Sequence, residues 1–78
     1  MSKSLRTPRQ QHLQELLVRL RKAQSLTQAE VARNLGRPQS FVAKYEGGER
    51  RLDVIEFIEI ARALGADPLE VLSGLLHG

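Results

Sequence analysis

Gln39, Ser40 and Lys44 fall on one edge of a single predicted helix, and three arginines, Arg37, Arg50 and Arg51, flank its two ends. An amide, a hydroxyl and an ammonium at helical spacing can read base-pair edges, a good bidentate contact being worth about 1–3 kcal/mol of discrimination. The arginines suit phosphate oxygens. Covalent chemistry has no comparable set of residues. The chain has no cysteine and only two histidines, His12 and His77, and no glycine-rich phosphate loop follows a strand. Its acidic residues are accounted for as helix caps and solvated faces. An enzyme, a metal centre and a cofactor are therefore not expected.

The stretch Leu26 to Glu46, LTQAEVARNLGRPQSFVAKYE, must position that edge. Ala32 is small, as the residue nearest a steep helix crossing must be. Gly36 stands where the first helix has to stop, and a glycine past the last turn takes the left-handed conformation cheaply. Val31, Leu35, Val42 and Tyr45 fill the inward positions, and Phe41 lies at the margin, with packing its expected role. This is the spacing of a helix-turn-helix. Ser40, Ala43 and Lys44 then face outward with Gln39 at the helix start, an edge without large aliphatic side chains that suits a DNA major groove.

The flanking sequence supplies further elements. Met1 to Arg6 is polar and basic, and residues 1–7 read as a flexible arm ahead of a domain over residues 8–78. Thr7-Pro8 reads as an N-cap and first helical residue, opening a helix to about Ala23 with Leu13, Leu16, Leu17 and Leu20 as its buried stripe. Thr27 and Glu30 form a capping box that starts the second helix at Gln28. The free N–H groups there favour a phosphate, to which the Gln28 side chain adds a donor. Pro38 opens the third helix and Gly47-Gly48 end it. Asp53 with Glu56 caps a fourth helix to about Leu64, and Gly65 ends that one. Its expected core face is Val54, Phe57, Ile58, Ala61 and Leu64, with Ile55 and Ile60 toward the flanks. Asp67-Pro68 begins a fifth helix.

Seventy-eight residues make one domain, at 41% hydrophobic and 27% charged an ordinary globule. The net charge of +3 and a pI near 10.0 lean toward a polyanionic partner. No apolar run approaches the roughly 18 residues of a membrane span, and no signal-peptide core is present. A cytoplasmic location is expected, without a membrane or small-molecule partner.

The runs L-T-Q-A-E-V-A-x-x-L-G, Q-S-F-V-A-K-Y-E-x-G and E-I-A-R-A-L-G resemble the lambda-repressor and Cro type of helix-turn-helix regulators, the xenobiotic-response-element (XRE) family, over about Leu16 to Leu72. The resemblance implies an all-α, five-helix DNA-binding domain with helix three in the major groove of a double-stranded operator. It places Gln28 on a phosphate, Gln39, Ser40 and Lys44 on base edges, and the Arg50 and Arg51 loop along the backbone. It also implies a structural ion pair between Arg21 and Glu46. Pro38 departs from the serine or threonine that many relatives have at the N-cap.

In the last helix, Leu69 and Leu72 are expected to close the core and leave some of Val71, Leu75 and Leu76 uncovered. That points to a two-fold homodimer through the C-terminal region. Two functions follow from different classes. One is a sequence-specific transcriptional regulator, most simply a repressor. The other is an antitoxin-like interaction module that also binds DNA.

Overall fold

In a computed structural model, which describes residues 7–77, the chain forms five helices: α1 (Pro8–Ala23), α2 (Gln28–Leu35), α3 (Gln39–Glu46), α4 (Val54–Ala63) and α5 (Pro68–His77). The arm expected ahead of them lies outside the described residues up to residue 6, and Thr7 belongs to α1 as its cap.

Each helix starts where local chemistry can satisfy its orphan N–H groups. Thr7 Oγ1 accepts from the Gln10 N–H at 3.1 Å, and capping boxes open α2 and α4 from Thr27/Glu30 and Asp53/Glu56. Asp67 Oδ1 accepts from the Leu69 N–H at 2.9 Å ahead of α5. The exception is α3. Its N-cap is Pro38, which holds an extended backbone but has no side chain able to cap. Gly36 ends α2 in the left-handed region at φ 69°. After α3 the left-handed residue is Gly48, at φ 83°, where a Cβ would also come within 2.9 Å of the Gln14 amide.

α2 packs on α3 and α4, while α1 packs on α3 and α5 and α4 also meets α5. The centre is Leu17, Val31, Val42, Tyr45, Ile60 and Leu64, all under 2% exposed or close to it. Ala32 is 3% exposed, which is what the α2–α3 approach requires. Leu13, Leu16 and Leu20 pack around this centre from α1, as their spacing predicts.

Two assignments of core faces are corrected. Ile60, expected on a flank, is fully buried, while Val54 is 72% exposed. The reason is that α4 is covered on two sides, by α2 and α5, so its buried stripe is wider than one helix neighbour would make it, while in its first turn Glu56 and Phe57 go inside and Val54 and Ile55 stay outside. In α5 the residue that closes the core is Val71, at 7%, and Leu69 and Leu72 stand 74% and 40% exposed. Val71 is thus removed from the expected dimer face by the monomer's own packing. Among the described residues no helix is long and apolar enough to cross a membrane.

Candidate nucleic-acid interface

α3 presents Gln39, Ser40, Ala43 and Lys44 to solvent while Phe41, Val42 and Tyr45 are buried, so the division between the outer and inner edges follows the sequence pattern. What holds α3 in place is an ion pair and its attachments. Arg21 on α1 donates from Nε to Glu46 Oε2 at 2.7 Å and from Nη2 to Oε1 at 3.0 Å, and its Nη1 reaches the Leu26 carbonyl at 2.9 Å. The side chains are only 13% and 6% exposed. A fork of this kind ties the end of α3 to α1 and to the turn before α2.

The pair extends to the outer edge of α3. Gln28 donates from Nε2 to Glu46 Oε1 at 2.9 Å, and Gln39 donates from its amide to Gln28 Oε1 at 3.4 Å. The Gln28 side chain is thereby engaged on both sides by protein groups. A phosphate at the start of α2 would meet backbone N–H groups and the second hydrogen of that amide. Gln14, from α1, donates to the Glu46 carbonyl at 3.3 Å and closes the C-terminus of α3.

The arginines flanking α3 are more constrained than solvated charges. Arg50 forks onto Glu56 at 2.8 and 2.9 Å, and Arg37 reaches the same carboxylate at 3.4 Å. Both guanidinium groups lie over the Phe41 ring, 4.4 and 4.8 Å from its centroid. Each arginine keeps about 40% of its side chain open, 41% for Arg37 and 38% for Arg50, so donors remain for a phosphate. Arg51 donates from Nε to Gln10 Oε1 at 3.3 Å, which ties the loop after α3 to the first turn of α1. Among the described residues Glu56 and Gln10 are the two buried polar ones, and neither announces itself in sequence beyond the capping pattern around Glu56.

The Glu56 carboxyl is held down to about 2, from an ordinary 4.5, first by the Arg50 hydrogen bonds and then by the Asp53 N–H. A depressed carboxyl stabilises the fold fully above its unfolded value and loses that contribution as pH falls through the folded one. Urea midpoints measured from pH 5 down to 2 should therefore fall more steeply for the wild type than for Glu56→Gln, and parallel profiles would refute the pairing.

The Tyr45 hydroxyl is buried without a hydrogen-bond partner among the described residues, and burial pushes it well above its ordinary value of 10. Its ring packs edge-on against Phe41, the centroids 5.5 Å apart. An orphaned buried hydroxyl is a cost, so Tyr45→Phe should raise stability by about 1 kcal/mol. A urea midpoint below that of the wild type would contradict this.

Residues 12–73 match the helix-turn-helix domain family. Over 55 residues, 70% of this chain and 71% of the relative, the sequence is 38% identical to y4dJ of Sinorhizobium fredii, an uncharacterized HTH-type transcriptional regulator. Among solved structures, an XRE-family-like protein from Pseudomonas syringae pv. tomato superposes with a TM-score of 0.85 at 54% identity, covering 87% of this chain and 83% of that one. The restriction-modification controller protein C.AhdI from Aeromonas hydrophila superposes with a TM-score of 0.73 at 29% identity, covering 80% and 90%.

Proposed function

Because this chain belongs to the XRE-type helix-turn-helix transcriptional regulators, we propose that it is a cytoplasmic repressor that binds an inverted-repeat operator as a homodimer. The observation that carries the proposal is the exposed edge of α3, Gln39, Ser40 and Lys44, held rigidly by the Arg21–Glu46 fork and bordered by arginines. Gln39 and Lys44 read base edges in the major groove, and Ser40 adds a shorter contact. The start of α2 at Gln28, together with Arg37, Arg50 and Arg51, contacts phosphates on either side. Occupying the operator excludes RNA polymerase. Binding without turnover is expected.

Apolar surface left on the monomer supports the dimer. Val54, Ile55, Leu69, Leu72 and Leu76 are each at least 40% exposed, and Val54, Leu72 and the partly buried Leu75 border one apolar hollow of about 190 Å³. A second copy related by a two-fold axis covers such a face and sets two α3 helices about 34 Å apart, one turn of DNA. The expected interface therefore centres on Leu72, Leu75, Leu76 and Val54, with Leu69 replacing Val71. Leu76→Asp, on a residue 61% exposed, should leave the monomer folded and shift sedimentation at micromolar concentration from dimer to monomer. A wild type that sediments only as a monomer would remove the dimer.

Selection of bound sequences from a random duplex pool tests the whole reading. Enrichment of an inverted repeat with half-sites one turn apart is expected. Weak, salt-sensitive binding without enrichment would overturn it in favour of a partner-binding, antitoxin-like role.

A further inference from the structure

Glu56 does more than cap α4. One oxygen, Oε1, accepts from the Asp53 N–H at 3.0 Å and from Arg50 Nη1 at 2.9 Å. The other, Oε2, accepts from Arg50 Nη2 at 2.8 Å and Arg37 Nη2 at 3.4 Å. The carboxylate is thus the shared partner of two cations that come from opposite ends of α3. It is 10% exposed, whereas the cations are about four times more open, at 41% and 38%. With the Phe41 ring against both guanidinium groups, the arginines are oriented from below and offered outward.

We propose that Glu56 is a positioning residue that sets specificity: it holds Arg37 and Arg50 in one arrangement against Phe41, and it withholds part of their charge from the phosphates of non-cognate DNA. The inference rests on the proposal that α3 enters DNA. Its physical basis is competition. Two guanidinium groups that meet at one oxygen repel each other once the carboxylate charge is removed, and each then swings to whatever phosphate it can reach. Free cations gain affinity that does not depend on sequence, because phosphate contacts carry no sequence information. Base contacts by Gln39 and Lys44 gain nothing from that freedom, since they depend on the placement of α3.

The test compares the wild type with Glu56→Gln on the selected operator and on a random duplex, each titrated across salt concentrations. The variant should bind random DNA roughly threefold or more tightly, with a salt slope steeper by about 0.9 for each additional phosphate neutralised. Its preference for operator over random DNA should fall by the same factor, about threefold or more, because non-specific binding gains what specific binding does not. Asp53→Ser keeps an N-cap and removes a negative charge beside the site, so it controls for charge alone and should retain the wild-type preference. A second variant, Arg37→Lys with Arg50→Lys, keeps both charges and Glu56 but loses the fork, and should also lose preference. This covers the case in which Glu56→Gln does not fold. Wild-type slope and preference in Glu56→Gln, or in the double lysine variant, would overturn the proposal. So would an equal change in Asp53→Ser. A wild type with no operator preference would overturn the DNA reading itself, and is distinguishable from all of these because it appears before any variant is made.

Discussion

Replacing Glu46 by alanine is expected to remove about 3–5 kcal/mol of stability, the cost of leaving a largely buried guanidinium without its counter-charge. Against a total of about 4–12 kcal/mol for a chain of this length, that is a quarter of the stability or more. The size follows from the number of groups stranded together. Arg21 loses both arms of its fork and keeps only the Leu26 carbonyl, and Gln28 loses its acceptor. The control is a paired apolar replacement, Arg21→Met with Glu46→Leu, which removes both charges and should recover most of the loss, since a buried ion pair is costly mainly when broken. Urea unfolding followed by circular dichroism measures both. A Glu46→Ala midpoint within about 1 kcal/mol of wild type would mean that the pair is solvated and contributes little.

The second large effect is on recognition. Lys44→Ala and Gln39→Ala should each lose about 1–3 kcal/mol per half-site on the selected operator, and so about 2–6 kcal/mol for a dimer that uses both half-sites. On random duplex the losses should be small. Lys44 is exposed at the C-terminal end of the outer edge, in the last turn of α3, so its removal disturbs no packing. Gln39 also donates to Gln28, so its loss frees the Gln28 carbonyl oxygen as well as the base contact. Filter-binding or anisotropy titrations on both duplexes separate the cases. Equal losses on operator and random DNA would take these residues off the base-reading edge.

The site was partly legible in the sequence. The outward edge of α3 follows from helical spacing, because Val42 and Tyr45 must face inward and only one edge then remains for Gln39, Ser40 and Lys44. The arginines were legible as a cluster around one helix but not as a bound set. Arg37 and Arg50 meet at Glu56 only because α4 packs against α2 and brings its first turn beside the ends of α3. Nothing local distinguishes a capping glutamate that also holds two arginines from one that only caps. The same holds for the tie between Arg51 and Gln10, whose partners are far apart in the chain.

By itself the sequence determined the five helices, their caps, the left-handed turn at Gly36, the small crossing residue Ala32 and the helix-turn-helix family, because each of these depends on neighbours within one or two turns. Tertiary structure alone decided which apolar residues closed the core. Ile60 went inside and Val54 outside, and Val71 rather than Leu69 or Leu72 sealed α5. A helical stripe defines a face to within a residue or so, but the choice within it depends on where the neighbouring helices press. That is a property of packing among distant segments, and it also decides which leucines are left to meet a second copy.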